Sequence, residues 1–168
     1  ARGGVGLIVT GGISPNRRGV LKPGGAKLTS KKQALKHRVI TDAVHQAGGK
    51  ICLQILHGGR YSYHPFNVAP SALKTAINRF KPRALSTRGV AKTVRQYAEC
   101  AKFAQIAGYD GIEIMGSEGY LINQFLVTET NKRKDKYGGS FENRMRFPLQ
   151  IIAEIRELVG PDFALIFR

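Results

Sequence analysis

The chain has 168 residues, of which 42% are hydrophobic and 23% charged, a size and composition typical of one globular domain. It contains no apolar run of about 18 residues and no secretory leader pattern, so we expect no membrane-spanning helix and a cytoplasmic location. The 27 Lys and Arg against 11 Asp and Glu give a net charge of +16, yet they lie between the apolar runs, which favours solvated loops over a nucleic-acid-binding surface.

Four short apolar runs alternate with three helical patterns along the chain. The runs are continuous, which is typical of strands buried on both faces of a sheet. The predicted strands are 5–12, 50–57, 110–116 and 162–168. The predicted helices are 30–49, 90–108 and 140–160. A segment rich in Tyr, Pro and Asn, 58–86, follows the second strand, and loops of that length are usually functional or disordered.

The same patterns predict helix ends and buried helix faces. Ser30 with Gln33 forms a capping-box pattern at the first helix, and Ser140 is a candidate cap for the third. Pro148 must fall in the first turns of the third helix or bend it. The residues predicted to face the core are Ala34, Leu35, Val39, Ile40, Ala43 and Val44 in the first helix, Val90, Val94, Tyr97, Ala98, Ala101 and Ala104 in the second, and Met145, Leu149, Ile152, Ile155 and Val159 in the third.

This alternation of buried strands and helices predicts an α/β fold with parallel strands joined by right-handed crossovers. Two architectures fit, a doubly wound sheet and part of a (β/α)8 barrel. The stretch "GGISPN" after the first strand does not match the glycine pattern of dinucleotide-binding folds. In both architectures ligands bind beyond the carboxyl ends of the strands, where the polar and glycine-rich residues of this chain concentrate.

Five side chains at or near strand ends are candidates for chemistry. A buried Gln54 needs hydrogen-bond partners, and its amide suits either a structural role or a ligand edge with both donor and acceptor, such as a flavin pyrimidine. For His57 an ordering hydrogen-bond donor is favoured over a catalyst. Tyr120 can act as a general acid, although composition alone favours packing. A buried Glu113 needs a cationic or hydrogen-bonding partner. Arg168 could be this partner, or it could face an anionic ligand instead.

Two further patterns indicate structure rather than chemistry. Cys52 and Cys100 have no metal-ligand spacing, so we expect two buried, reduced thiols and no metal site. In the polar cluster 131–147, Asp135 could bond Arg133 or a neighbouring loop. We interpret this cluster as a salt-bridged loop that supports a site rather than acts in it.

Three motifs together carry a family resemblance. They are "LQILHGGR", "EGYLINQFL" and "NKRKDKYGGSFENRMRF". With them the chain resembles the old yellow enzyme family of FMN-dependent ene-reductases, whose fold is a (β/α)8 TIM barrel. The stretches "RGGVGLIVTGGISP" and "MGSEGYLINQFL" look like the 2,4-dienoyl-CoA reductase branch of that family. The resemblance implies that residues 1–168 are a partial TIM-barrel domain holding about strands 2–5, without strand 1, strands 6–8 or downstream domains.

The resemblance also implies a cofactor, a substrate and roles for four residues. Gly12, Gln54 and Arg168 match FMN-binding positions, and Tyr120 matches the proton donor. Reduced FMN would pass hydride to a conjugated dienoyl thioester of unsaturated fatty-acid β-oxidation, with NADPH as the reductant and an acyl-CoA as the partner. A histidine that assists Tyr120, an FAD and a 4Fe–4S cluster are expected only in parts of the parent protein outside this sequence.

One departure from the family pattern bears on the substrate. Many relatives bind a substrate carbonyl with two His or Asn side chains, where this chain has Met115 and Glu118. This pair cannot supply two hydrogen-bond donors at pH 7, which argues against simple enone recognition and agrees with the dienoyl-CoA branch. The positive surface could then attract the CoA phosphates. The alternatives are another NADH:flavin oxidoreductase of the family and, from the +16 charge alone, a basic nucleic-acid-binding domain.

Overall fold

The computed structural model describes residues 1–168. It has six strands and four α-helices, with a short 3₁₀ turn at Gly59–Tyr61. The strands are β1 (Leu7–Val9), β2 (Lys50–Ile55), β3 (Val68–Ala69), β4 (Arg83–Ala84), β5 (Gly111–Ile114) and β6 (Ala164–Phe167). The helices are α1 (Lys31–Gln46), α2 (Thr87–Ile106), α3 (Leu121–Leu126) and α4 (Phe141–Val159).

The main sheet is parallel, with the strand order β1-β2-β5-β6. Its spatial order is the same as its order in the chain, so the sheet never reverses direction. With right-handed crossovers, such a sheet carries α1, α2 and α4 on one face. A doubly wound sheet requires a reversal and helices on both faces, so this alternative is wrong. The arrangement is that of consecutive units of a (β/α)8 barrel, as predicted.

The core lies between the sheet and the helices. One face of the sheet points to the helices and carries the fully buried side chains of β2 and β5, which are Ile51, Leu53, Ile55, Ile112 and Ile114. On the helix side they meet the predicted face of α2, from Val90 to Ala104, and that prediction is confirmed. Phe125 and Phe147 stack with ring centroids 4.2 Å apart and join α3 to α4. Each such side chain contributes about 1.5–3 kcal/mol through burial.

The predicted buried face of α1 is wrong for most of its members: Ala43 is exposed, Val44 is partly buried, and only Ala34 is buried. Leu35, Val39 and Ile40 are exposed, Val39 by 75%, whereas Ala34 and Thr41 are the buried residues. The buried side of the helix instead makes a polar contact. Thr41 Oγ1 donates a hydrogen bond of 2.7 Å to the carbonyl of Ala107, in the turn after α2.

The predicted face of α4 is also rotated. Leu149 is 55% exposed and Met145 only partly buried, while Phe147, Pro148 and Ile151 are buried beside the correctly predicted Ile155 and Val159. The helix keeps Pro148 at its eighth position, buried against the core. The aromatic contact of Phe147 with α3 thus fixes which side of α4 faces inward.

The caps at Ser30 and Ser140 are confirmed, but the capping box at Ser30 is only half formed, since Gln33 Oε1 accepts from Thr29 N and not from Ser30 N. Ser30 and Ser140 accept hydrogen bonds from Gln33 N and Asn143 N. The cysteines are free and buried. The segment 58–86 is ordered, since β3 pairs with β4 in a small parallel ribbon and Asn78 Nδ2 donates to two carbonyls of the preceding turn. None of the helices is both long and apolar enough to cross a membrane.

Candidate active site

The four residues predicted to act on a flavin or a substrate all lie at the carboxyl edge of the parallel sheet. Gln54 is the next-to-last residue of β2, and Gly12 comes three residues after β1. Arg168 directly follows β6, and Tyr120 caps the start of α3 after β5. This edge is where parallel α/β folds bind their ligands.

Gln54 is bonded to Glu113 on the neighbouring strand. The two residues are opposite each other in the β2–β5 register, 8% and 9% exposed, and Gln54 Nε2 donates to Glu113 Oε1 at 2.7 Å. The partner that the sequence required for Glu113 is therefore Gln54 and not Arg168. This bond uses one amide hydrogen, so a second N–H and the oxygen Oε1 of Gln54 remain available to a ligand.

Gly12 provides a bare stretch of backbone next to Gln54. A Cβ placed on Gly12 would lie 2.7 Å from Leu56 Cδ1 and 3.2 Å from Gln54 Oε1. No side chain fits there without displacing Leu56. The glycine thus lets Leu56 and the amide oxygen of Gln54 pack closely against its backbone, which itself stays exposed at this edge of the sheet.

Arg168 carries the positive charge of this edge. Its Nη2 lies 3.2 Å from Glu118 Oε1, and both side chains are about half exposed, at 54% and 51%. Its backbone N–H donates to Ile114 O, and Gly116 N–H donates to its carbonyl, so the residue continues the pairing of β5 with β6. An exposed ion pair of this kind contributes little to stability, and Arg168 can leave it for an anionic ligand.

Tyr120 lies in a turn with unusual backbone geometry. Glu118 has a φ of 60°, the only non-glycine residue with a positive φ, and Gly119 follows with 75°. This turn brings the Tyr120 ring edge to face against Tyr61, with centroids 6.2 Å apart. A Cβ on Gly119 would come within 2.7 Å of the Tyr61 ring, so the glycine is required for this contact.

Tyr61 and Gln124 are residues of this region that sequence reasoning missed. Gln124 Nε2 donates to Gly119 O at 2.6 Å, and its Oε1 accepts from Arg60 N at 3.1 Å. The buried amide therefore joins the Tyr120 turn to the loop that carries Tyr61. The motif letters "GRY" and "NQF" contained these residues, but their pairing spans about 60 positions and leaves no periodic signal.

His57 has a structural role. Its ring is 1% exposed, and Nδ1 accepts a hydrogen bond from Gly59 N at 3.1 Å, so the ring acts as an acceptor rather than the predicted donor. Burial lowers the pKa of His57 from 6.5 to about 3. The imidazole is therefore neutral at pH 7 and orders the turn after β2.

The polar cluster 131–147 forms the predicted salt-bridged loop. Arg133 Nε donates to Asp135 Oδ1 at 2.9 Å, and Arg133 Nη1 donates to Pro70 O at 2.9 Å. The Arg133 guanidinium lowers the pKa of Asp135 to about 2. Asn131 Nδ2 bonds the carbonyls of Phe125 and Tyr137, each at 2.7 Å, so the loop supports α3 from behind.

Comparison with known proteins identifies the family. The model of the NADH:flavin oxidoreductase / NADH oxidase family matches residues 1–168. The chain belongs to this family of old yellow enzyme-type flavin oxidoreductases. It is 41% identical to a metal reductase of Desulforamulus reducens and 40% identical to an NADH oxidase of Thermoanaerobacter brockii, in each case over 100% of this chain.

Solved structures of the family share the fold. Morphinone reductase superposes with a TM-score of 0.89 at 34% identity, over 96% of this chain and 49% of its own. A 2-naphthoyl-CoA reductase in complex with 2-naphthoyl-CoA superposes with a TM-score of 0.94 at 30% identity, over 99% of this chain and 28% of its own. The prediction of part of a TIM barrel is thus confirmed. The chain spans about a quarter of the length of the two curated relatives, at 26% and 27%.

Proposed function

We propose that the chain is the flavin-binding part of an FMN-dependent ene-reductase that acts on a conjugated dienoyl-CoA thioester. The observation that carries this proposal is the placement of Gly12, Gln54, Arg168 and Tyr120 at one edge of the sheet, in a chain of the NADH:flavin oxidoreductase family. The unpaired Oε1 and the second N–H of Gln54, with the bare backbone of Gly12, suit the donor and acceptor edge of a flavin.

Gly12, Gln54 and Arg168 would hold FMN, which would supply the transfer of hydride from a nicotinamide reductant, in this proposal NADPH, to the conjugated alkene. Gln54 holds and orients the flavin edge through its amide. Arg168 places a positive charge where negative charge develops on the reduced ring. Tyr120 donates its phenolic proton to the carbon next to the one that accepts hydride, so the double bond gains one hydride and one proton.

The residues around Tyr120 argue against recognition of a simple enone by a pair of His or Asn side chains. Met115 is buried, and its sulfur contacts Ser117 Oγ at 3.5 Å, while the Glu118 carboxylate is paired with Arg168. Neither offers a hydrogen-bond donor to a carbonyl at pH 7. The complex of the similar 2-naphthoyl-CoA reductase with its acyl-CoA supports the same substrate class. Another NADH:flavin oxidoreductase activity, with a different acceptor, is the alternative within the family.

We also propose that residues 1–168 supply about strands 2–5 of the barrel. The exposed Val5, Leu7 and Val9 at one edge of the sheet and Phe167 at the other support this proposal, since further strands would cover them. A barrel closes with eight strands. We also keep as predictions that other parts of the parent protein hold FAD, a 4Fe–4S cluster and the NADPH site. Its cytoplasmic location is a further prediction.

The test compares two forms of the protein. One is the chain itself. The other is an extended chain, which includes the residues encoded on both sides of residues 1–168. Each is incubated with FMN, the visible spectrum is recorded, and NADPH-driven reduction of a 2,4-dienoyl-CoA is followed. We expect the extended chain to bind FMN and to turn over. An extended chain that binds no flavin would refute the proposal.

Tyr120→Phe tests the proton donor separately. This variant should retain the flavin spectrum and the rate of flavin reduction by NADPH, whereas the rate of dienoyl reduction falls on the order of 100-fold. Tyr63→Phe is the matched control, because Tyr63 is an exposed tyrosine that packs on Phe80 away from this turn. Equal turnover of Tyr120→Phe and the unmodified protein would remove Tyr120 from the mechanism.

A further inference from the structure

A positively charged cavity of about 390 Å³ opens between the loop after β1 and the first turns of α2. Its charged lining residues are Arg17, Arg18 and Lys92, and no Asp or Glu lines it. All three are exposed, and none of them forms an ion pair. The cavity therefore offers three uncompensated cations to an anion from solution.

The loop that carries the two arginines is rigidly built. Asn16 is 7% exposed, and its Oδ1 accepts from Arg18 N at 2.9 Å and from Gly19 N at 3.0 Å. Its Nδ2 donates to Gln96 Oε1 at 2.8 Å, which joins the loop to the wall formed by α2. A buried side chain thus fixes the backbone of Arg18 and the width of the cavity. This Asx turn holds the loop in one conformation, which would lower the ordering cost of binding a ligand.

The start of α2 adds to the positive potential. Its first turn contains no acidic residue, although that position usually favours one, and Ser86 Oγ caps the N–H of Gly89. Gly89 and Thr93 line the cavity, so the positive end of the helix dipole borders it, while Asp135 Oδ2 accepts a hydrogen bond of 2.8 Å from Thr87 Oγ1 and offsets part of that potential. The ligand that fits three cations beside a helix start is a phosphate or diphosphate group.

The cavity lies at the same edge of the sheet as the candidate active site. Gly19 O accepts from Gly58 N at 2.8 Å, which anchors the arginine loop to the turn after β2. In the same turn His57 O accepts from Leu121 N at 3.0 Å, and Leu121 is the neighbour of Tyr120. Two hydrogen bonds therefore connect the arginine loop to the Tyr120 turn through the turn after β2.

We propose that this cavity binds the phosphate groups of the CoA tail while the acyl group lies at Tyr120. The inference rests on the proposed function for its choice of CoA as the ligand. NADPH carries a similar phosphorylated ADP group, so the two sources share the chemistry that Arg17, Arg18 and Lys92 would recognise. We assign the site to CoA because the proposed function makes an acyl-CoA the substrate that reacts at Tyr120, and the kinetic comparison below distinguishes it from NADPH.

Calorimetric binding of CoA to the extended chain tests the site without any turnover. The variant Arg17→Ala/Arg18→Ala removes two exposed cations, and Lys92→Ala removes the third from a different wall. Loss of charged hydrogen bonds should weaken CoA binding about 10-fold or more and reduce its salt dependence. The matched control is Lys32→Ala/Lys36→Ala, which removes two exposed and unpaired cations from α1 and should leave CoA affinity unchanged.

Kinetics identify the source of the phosphate. In Arg17→Ala/Arg18→Ala, KM for a dienoyl-CoA should rise about 10-fold at unchanged kcat, whereas KM for the same acyl group on pantetheine, which lacks the diphosphate, should not change. A rise in KM for NADPH instead of dienoyl-CoA would overturn the assignment to CoA. An equal loss of affinity for a single-stranded oligonucleotide would show a general polyanion surface and would also overturn it.

The two proposals fail in different ways. If the flavin mechanism is wrong, the extended chain does not reduce the dienoyl-CoA, yet calorimetry still reports whether CoA binding depends on Arg17, Arg18 and Lys92. If the cavity is not the CoA site, turnover is normal and all of these variants keep the affinity for CoA and its KM.

Discussion

The Gln54 amide donates a hydrogen bond of 2.7 Å to the Glu113 carboxylate across two neighbouring strands. This bond is the only side-chain hydrogen bond to Glu113, and no cation lies within ion-pair distance of it. A carboxylate that is 9% exposed thus depends on an amide that also belongs to the proposed flavin site. Stability and flavin binding are coupled at this pair.

Replacement of Gln54 should therefore lower both the stability of the fold and the affinity for FMN. We expect Gln54→Leu to lower the free energy of unfolding by about 1–3 kcal/mol, because Glu113 loses its donor, and to weaken FMN binding. Glu113→Gln is the matched variant, since its amide oxygen still accepts from Gln54, and we expect a change of about 1 kcal/mol or less. Urea unfolding and flavin titration of the extended chain measure both quantities. Equal destabilisation by the two variants would contradict this account.

Substitution of Gly12 tests whether its close packing against Leu56 and Gln54 is needed for stability and FMN binding. In Gly12→Ala the new Cβ would lie 2.7 Å from Leu56 Cδ1, so we expect about 1–3 kcal/mol of destabilisation and a higher dissociation constant for FMN. Gly11→Ala is the control, because a Cβ on Gly11 has nothing within 4 Å. Flavin fluorescence quenching gives the affinities. If Gly11→Ala weakens FMN binding as much as Gly12→Ala does, contact with Leu56 and Gln54 is not the cause.

Gly119 tests the packing of Tyr61 against the Tyr120 turn. Gly119→Ala combines a left-handed backbone, φ 75°, with a contact of 2.7 Å to the Tyr61 ring. Gly139→Ala has a similar φ of 81° but open space around its Cβ. The backbone alone costs about 1–2 kcal/mol in both variants. We expect Gly119→Ala to cost about 1–3 kcal/mol more than this and to lower kcat, with unfolding curves and steady-state rates as the measurements.

The buried His57 leads us to expect a free energy of unfolding that falls at acidic pH. Burial lowers its pKa from 6.5 to about 3. At pH values between these two, the His57 ring is therefore protonated in the unfolded chain and neutral in the folded chain. The stability from the neutral ring is fully present above pH 6.5 and is lost as the pH falls, by about 1.4 kcal/mol per pH unit. His37 and His64, whose pKa values burial also lowers, act in the same direction.

Urea unfolding between pH 6.5 and 5 measures this slope in the unmodified protein and in His57→Asn. The variant should show a slope smaller by about one proton, with the same dependence on urea concentration. An unchanged slope would show that His57 is protonated in the folded state.

Local features of the fold were predictable because their causes lie within a few residues. Ser30 and Ser140 cap their helices through hydrogen bonds to an N–H three positions on, which a sequence displays directly. The four strands and the inner face of α2 follow from uninterrupted apolar periodicity. The motif resemblance located Gly12, Gln54, Tyr120 and Arg168, and the fold collects them at one edge of the sheet, although their roles stay predictions.

The rotation of α1 and α4 was decided by tertiary contacts. Thr41 is buried and bonds the carbonyl of Ala107, 66 positions away, while the more apolar Val39 is left exposed. Phe147 turns α4 toward Phe125 and leaves Leu149 in solvent. Hydrophobic periodicity gives a helix an apolar stripe, but the neighbour that covers part of the stripe is set by the whole fold.

The sequence by itself determined the family, the order of the four strands of the main sheet and of the three long helices, and the residues that could carry chemistry, because each depends on identity and spacing along the chain. It did not predict the short elements β3, β4 and α3. Only the tertiary structure decided that Gln54 and not Arg168 is the partner of Glu113, that Arg168 pairs with Glu118, and that Tyr61 packs on Tyr120. These pairs join residues of different strands and loops. Their distances depend on how the strands align and how the turns bend, which no local pattern records.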